Sequence, residues 1–422
     1  MPSSRPTRRS CPASWPRATR AQAKSLRPRW PRCARPCRWS TAELGPPVSA
    51  SATPGPSGPR VVVVVDRAGE RLTAAAAAGV AQGWTRTAPH TLVEAHDCHD
   101  GGAGLTAVIA DRLGATLHPV VVPGPAGAQV PAAVAVVSAT DGDGADIGAG
   151  GTAYLDTAQV AGRHLVPRER LTDPEGLSSA GVARLLRHAR DLGVDRIVVG
   201  VGPLAAHDGG VGLLQELGAG ADLAALPAVR DEWDCTRLVL VTTTEAPLLG
   251  FQGASASLGE HGVLPEVTQR LEARMGDLTD RVNAVLPPPR DLLTGLPHRP
   301  EREPGSGAGG GVGYALQLIG ARTDDGARFL LDELGIRTRL PGSLLVLVTD
   351  RYDYTTVHDG VVAQTARAAL GFATPTVVLA REVAVGRREG MSLGVSGAYE
   401  LREGEDLAGL AARVARTWTP VR

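Results

Sequence analysis

The chain has 422 residues, with 44 basic and 44 acidic side chains. The balance conceals a split: residues 1–60 carry eleven Arg, Lys24 and the single acid Glu43, which leaves residues 61–422 acidic by eleven charges. An acidic body excludes nucleic-acid binding as the main task, because phosphate contacts need clustered Lys and Arg. Lys24 is also the only lysine, so the body excludes P-loop Gly-Lys-Ser/Thr and Schiff-base chemistry.

Residues 1–60 hold 12 of the 32 prolines and show no hydrophobic periodicity, so they are expected to be a disordered basic tail. Arg8-Arg9 is followed by no apolar stretch, which argues against an export signal. The tail reads either as a basic or targeting arm or as unselected upstream sequence. The body keeps only Cys98 and Cys235, no disulfide framework, in keeping with a reducing cytoplasm. No apolar run approaches the roughly 18–20 residues of a membrane span. With 3% aromatics and 52 Gly, the core must be aliphatic, and α/β layering is expected.

Val61 to Val65, ending in Asp66, reads as a buried parallel strand. An Ala-rich helix follows from Leu72 to Trp84, then a strand from Leu92 to Ala95. Asp100-Gly101-Gly102-Ala103-Gly104 is a loop leading into a helix, Leu105 to Leu113. Leu117 to Val122 and Val130 to Val137 read as strands around a Pro123-Gly124-Pro125 turn. Gly142 to Gly151 is a loop, and Ala153 to Asp156 a short strand. Leu177 to Leu192 has helical spacing, and Arg196 to Gly200 is another buried strand. Asp208-Gly209-Gly210 opens a helix from Val211 to Leu217. Leu238 to Thr242 is a strand, Pro265 to Val285 a helix, and Pro287 to Pro304 a linker. Gly305 to Gly313 precedes a helix from Tyr314. Leu344 to Thr349 and Thr376 to Leu379 are strands, and Leu407 to Trp418 is the last helix. Strand, Gly-rich loop, helix is the recurring unit. Such loops sit at strand C-termini, where backbone N–H groups favour anions.

Taken in order, these loops resemble the bacterial, two-domain glycerate kinase family. DRAGERLT at 66–73 is similar to the family's Asp-Ser-Phe-Lys-Gly-Ser-Leu-Ser, and DGGAG at 100–104 to Asp-Gly-Gly-Glu-Gly. VVVPGPAGAQV at 120–130 is similar to a strand-turn-strand hairpin of the family. GVGPLAAHDGGVG at 200–212 resembles Gly-Ile-Gly-Gly-Ser-Ala-Thr-Asn-Asp-Gly-Gly-Ala-Gly. TTEAPLLG at 243–250, PGSGAGGGVGYAL at 304–316 and RYDYTTVH at 351–358 resemble three further loops. The resemblance implies a Rossmann/flavodoxin-like parallel-sheet domain from 61–115 and 305–422. A mixed α/β domain, 116–286, is inserted, 287–304 links them, and a cleft lies between.

It also implies transfer of the ATP γ-phosphoryl group, with Mg²⁺, to a hydroxyl of D-glycerate. Asp208, Asp353 and Arg351 become the catalytic candidates, with Asp208 and Asp353 also the Mg²⁺ ligands. Asp66, Asp100, Gly101, Gly102, Gly104, Gly200, Gly202, Gly209, Gly210, Gly309 and Gly310 become the phosphate- or substrate-binding set. Phosphoryl transfer asks for positioned phosphates, charge neutralisation and a carboxylate for the attacking hydroxyl. Several polar residues of the family pattern are missing. Its Lys falls at Gly69, its Glu at Ala103, and its Ser-Ala-Thr-Asn run at Leu204, Ala205, Ala206 and His207. Its Asp and Asn before Pro247 fall at Thr243 and Ala246, and its Gly-Glu-Gly before Arg351 at Val348, Thr349 and Asp350. Two alternatives follow. One is a catalytically inactive relative that binds a small acid or a protein partner. The other is a metal-dependent enzyme built on the pairs His96-Asp97, His99-Asp100, His207-Asp208 and His358-Asp359.

Overall fold

The computed structural model describes residues 58–68, 72–73, 75–139, 150–259, 262–290 and 295–419. Residues 1–57 of the basic tail, Gly69 and most of the 142–151 loop lie outside the described residues. The strands are β1 (Arg60–Asp66), β2 (Leu92–Cys98), β3 (Thr116–Pro123), β4 (Gln129–Val137), β5 (Thr152–Asp156) and β6 (Arg196–Val201). They continue with β7 (Arg237–Thr242), β8 (Arg322–Asp325), β9 (Ser343–Tyr352), β10 (Thr376–Val383) and β11 (Val395–Glu400). The longer helices are α1 (Ala75–Thr87), α2 (Leu105–Leu113), α3 (Ala180–Asp191), α4 (Leu226–Trp233) and α5 (Pro265–Val285). After them come α6 (Ala308–Leu318), α7 (Gly326–Glu333), α8 (Gly360–Gly371) and α9 (Leu407–Trp418).

β1 shows why the first sheet forms. Its five valines are all fully buried, and the strand pairs in parallel with β2 on one side and β9 on the other. β-branched side chains suit a pleated strand covered on both faces, and each fully buried valine contributes about 1.5–3 kcal/mol. Val61, Val63 and Val65 pack with Trp84 of α1 and Leu410 and Val414 of α9. Val62 and Val64 pack on the other side with Leu105 of α2, Leu330 of α7 and Val361 of α8. The sheet order is β2-β1-β9-β10-β11, parallel throughout. Counted within the sheet this is 2-1-3-4-5, the flavodoxin-like winding.

The second sheet has the order β3-β4-β5-β6-β7-β8. β3, β4 and β5 are antiparallel neighbours, and β5 to β8 run parallel. One face packs Leu155, Ile197 and Val199 against α3, α5 and α6. The other face sends Tyr154, Val198 and Val241 into the same cluster as Val62 and Val64, so the two sheets share a core. Glu333 of α7 is tied to this second sheet: it receives two hydrogen bonds of 3.0 Å from Arg196 and one from the Tyr154 hydroxyl. All these elements belong to one compact unit, Ala52–Arg422.

The expectation that 305–422 feeds only the parallel sheet is corrected for its first part. α6 lies in the core of the six-stranded sheet, and β8 pairs with β7 in register Val239↔Arg322. The sequence of β8, RTDD, has no apolar residue, which is what an edge strand permits. The 287–304 linker also does structural work at its end: Glu301 is buried, and its carbonyl accepts from the Leu248 and Leu249 amides.

α1 and α9 pack so closely that a Cβ on Gly83 would lie 2.1 Å from the Ala408 carbonyl oxygen, whereas one on Gly79 meets nothing within 4 Å. In chemical denaturation, Gly83→Ala is expected to lose about 1–3 kcal/mol by overpacking. Gly79→Ala, on the same helix, is expected to gain about 0.5–1 kcal/mol by removing a glycine from a helix interior. Equal effects from the two substitutions would contradict this packing.

Candidate active site

In an open parallel sheet a crevice forms where the chain leaves neighbouring strands toward opposite faces. α1, after β1, lies on the face with Trp84 and Leu410; α8, after β9, lies on the face with Leu105 and Leu330. The switch point therefore falls between the C-terminal ends of β1 and β9. Asp66 ends β1 there. Its Oδ1 accepts from the Ala68 amide at 3.0 Å, and its Oδ2 from the Thr349 hydroxyl at 3.3 Å. Burial pushes its carboxyl up to about 6, against the Ala68 hydrogen bond, with the Asp100 charge adding to the rise and Thr349 and His99 opposing it.

Thr349 also reaches the Arg351 carbonyl at 3.4 Å. Arg351, half-exposed, lies 3.3 Å from Asp353 Oδ2 and 3.3 Å from Glu382. Asp353 caps the short helix Tyr354–His358, its Oδ1 accepting from the Thr355 and Thr356 amides while Thr356 accepts from the Asp353 amide. Asp66, Thr349, Arg351 and Asp353 are thus linked at the C-terminal ends of β1 and β9, with Asp100 near enough to act on Asp66 by its charge.

The Asp100–Gly104 turn joins this crevice to the second sheet. Cβ atoms placed on its surroundings show the closeness. On Gly200 one would lie 2.3 Å from the Gly101 carbonyl oxygen, on Gly202 3.1 Å from Gly102 Cα, and on Gly326 1.8 Å from the Asp100 carbonyl oxygen. The glycines expected to face a phosphate face one another. The turn's amides are committed as well. Gly101 donates to His99 Nδ1 at 3.1 Å, Gly102 to Asp100 Oδ1 at 2.9 Å, and Gly104 to Asp156 Oδ2 at 2.7 Å.

Asp208 sits in a different place. Its Oδ2 accepts from the Ser179 amide and hydroxyl, both at 2.9 Å, and from the Gly212 amide at 3.0 Å. Its Oδ1 accepts from the Gly210 amide at 2.9 Å. None of these partners belongs to the Asp66 group, and the carboxylate joins the start of α3 to the turn at Gly210. Both oxygens of Asp208 thus carry hydrogen bonds from the chain, as both oxygens of Asp66 do. Gly209, Gly210, Gly309 and Gly310 likewise lock two loops together: Gly209 donates to the Gly310 carbonyl at 2.9 Å, and a Cβ on Gly310 would lie 2.3 Å from the Ala206 carbonyl oxygen.

The His-Asp pairs do not gather. No group of three or more His, Cys, Asp or Glu able to hold a metal occurs among the described residues. His96 lies 2.8 Å from Arg112, and burial, then Arg112, pushes it down to about 4. His207 lies 3.1 Å from Ser255 and is held down at about 4 by burial, then Arg274. His358 packs on Tyr354. Burial raises the Cys98 thiol, which marks it as inert. Two cavities lie apart from the switch point. One of about 590 Å³ opens beside Thr242, Thr323, Arg230 and Arg328, and one of about 200 Å³ beside Asp208, Ser178, Arg274 and Arg281. Sequence reasoning missed Asp156 and named His99 only as half of a His-Asp pair. Asp156 is 3% exposed, and its carboxyl is raised by burial against hydrogen bonds from the Gly104 and Ala158 amides. An aspartate ending a buried strand, as Asp66 does, was the available signal.

Asp66 supplies a stability test. With an ordinary value of 3.8 and a native value of about 6, the native chain binds more protons than the unfolded chain between those limits. Its contribution is therefore most favourable below 3.8 and declines as pH rises through about 6. Asp66→Asn should flatten that decline and gain on the order of 2 kcal/mol over the wild type at about pH 8. Unfolding curves that keep the same spacing from about pH 4 to pH 8 would contradict it.

Comparison with known proteins agrees with this architecture. An uncharacterized protein of Mycobacterium bovis is 31% identical over 372 residues, covering 84% of this chain and 91% of that protein. The glycerate 2-kinase of Escherichia coli is 28% identical over 349 residues, covering 76% of this chain and 84% of that enzyme. A Salmonella typhimurium crystal structure described as a candidate glycerate kinase 2 superposes with a TM-score of 0.64 at 24% identity. It covers 85% of this chain and 98% of that one, a likeness of fold. No described helix is long and apolar enough to cross a membrane. The sequence profile of the glycerate kinase family matches residues 61–418, and the chain belongs to that family.

Proposed function

We propose that the chain transfers the γ-phosphoryl group of ATP to a hydroxyl of D-glycerate in the crevice between β1 and β9. The observation that carries this reading is Asp66, a carboxylate held at about 6 at the switch point of a parallel sheet. A general base works best with a value near the operating pH. Asp66 accepts the proton of the attacking hydroxyl, and the Thr349 hydroxyl, 3.3 Å away, fixes its orientation. Arg351 stands in for the missing lysine as the cation facing the transferred phosphoryl group, a planar fork in place of a point charge.

Mg²⁺ would arrive with the nucleotide and neutralise phosphate charge. Such ions rest on one or two carboxylates plus phosphates and water. Asp100 and Asp353 suit that role, since each commits only Oδ1 to backbone amides. Asp208 has a structural part in this reading. The second reading, an inactive relative that binds a small acid or a partner, is favoured by Gly69 and Ala103 where the family pattern has Lys and Glu.

With folded protein, ATP consumption should depend on D-glycerate, and kcat/KM should rise with pH through about 6 and then level. Asp66→Asn and Arg351→Ala should each lower kcat by about 10²–10³. Wild-type turnover that stays at background sinks the kinase reading and leaves the binding one.

A further inference from the structure

The parallel part of the six-stranded sheet has a switch point of its own. After β7 the chain runs to α5 and α6, which pack with Leu240 on one face. After β8 it enters α7 directly, whose Ala327 and Leu330 pack with Val241 on the other face. β7 and β8 are neighbours, in register Thr242↔Asp325 at their C-terminal ends. Ligands of open α/β sheets bind where the connections of adjacent strands part in this way. The cavity of about 590 Å³ opens there, with Thr242 and Asp325 both in its wall.

Glycine shapes that wall. Gly305 lines it at a φ of 77°, and a Cβ there would lie 3.1 Å from the methyl groups of both Thr242 and Thr323. The wall also keeps neutral hydrogen-bonding capacity. Thr242 is 4% exposed, and its hydroxyl makes no hydrogen bond among the described residues. Gln317 donates to the Pro304 carbonyl at 3.0 Å and to the Thr323 hydroxyl at 2.9 Å, which leaves Gln317 Oε1 buried without a partner. Buried polar atoms are seldom left unpaired.

The charge of the wall narrows the ligand. Arg230 and Arg328 face Glu245, Glu303, Asp324 and Asp325, a balance that disfavours a phosphate or a carboxylate. Arg328 is itself engaged with Asp324 Oδ1 at 3.0 Å, which leaves the other oxygen of Asp324 to accept. A ligand hydroxyl both donates and accepts, so two adjacent hydroxyls match a threonine donor beside a carboxylate acceptor.

We propose that the cavity at the β7–β8 switch point binds an uncharged vicinal diol, with the Thr242 hydroxyl as donor and Asp324 as acceptor. A ribose and a free polyol share that chemistry. The residues that follow Thr242 and Asp325, namely Thr243 and Gly326, touch the Asp100–Gly102 turn from the other side, so the site backs on the crevice. It does not rest on the phosphotransferase reading.

The test uses the full chain, with adenosine and erythritol as separate probes, read on the amide ¹H–¹⁵N shifts of Thr242, Gly305 and Thr323. At least one probe should move those shifts saturably. Saturation by adenosine alone assigns the site to a ribose, and saturation by erythritol to a free polyol. Thr242→Val, which keeps the side-chain shape and removes the hydroxyl, should weaken that binding about three- to tenfold, and Asp324→Asn by at least as much. The same probe without its diol, the dideoxynucleoside or butane-1,4-diol, should leave the shifts in place. Shifts that never saturate, binding that survives loss of the diol, or wild-type affinity in both variants overturns the proposal. Turnover of D-glycerate, present or absent, decides the crevice and leaves this outcome untouched.

Discussion

The structure depends on one close backbone approach. The Asp100–Gly104 turn ends the β2 segment of the parallel sheet and presses on the ends of β6 and α7, which belong with the other sheet. A Cβ at Gly200 or Gly326 would stand 2.3 or 1.8 Å from a backbone oxygen, which excludes one there, and at Gly202 it would make a tight 3.1 Å contact with Gly102 Cα. The shared core of Val62, Val64, Tyr154, Val198 and Val241 lies beneath that contact. Where this turn meets β6 and the start of α7, the close approach is made by glycine on both sides.

Charge is the second constraint. A body without lysine must balance its buried carboxylates by other means. Asp208 is balanced by four N–H and O–H donors, Asp156 by two amides, and Asp353 by a helix start and Arg351. Burial raises the proton affinity of Asp66 beyond what one amide and one hydroxyl offset, and nearby Asp100 adds to the rise. Hydrogen bonds to an ionised carboxylate lower its pKa, and burial and like charge raise it. Asp66 and Asp156, with two donors each, both have their carboxyls raised by burial, whereas Asp208 has four donors.

Much of the fold was legible in the sequence because burial leaves a composition mark. Val61–Val65 is apolar on both faces, so it reads as an interior parallel strand, and the α5 helix from Pro265 to Val285 carries its own start signal in Pro265. Strands β8 and β11 left no such mark: RTDD is an edge strand without an apolar face, and VSGAYE alternates weakly. α7 and α8 were missed because Gly326 and Gly360 open them, and glycine reads as a breaker until the tight contact or positive φ that requires it is known. The winding order left no mark in the residue pattern and came only through the family resemblance, which implied a flavodoxin-like sheet. It rests on which strands pair at long range, and only that order locates the switch point.

The site was legible by position and not by role. The sequence marks every loop at a strand end as Asp-Gly-Gly or Gly-x-Gly, and such loops have two physical uses that look alike in one dimension. Their amides can point outward to an anion, or the missing side chains can let two backbones touch. At 100–104 and 200–202 the second use prevails, since three of the turn's amides already have acceptors and the neighbouring glycines touch. The lost Lys and Glu of the family pattern therefore weigh more than the retained glycines do. Glycines that hold two sheets together say nothing of the chemistry the crevice performs, whereas a carboxylate raised by burial at the switch point, as Asp66 is, is the kind of group that proton transfer requires.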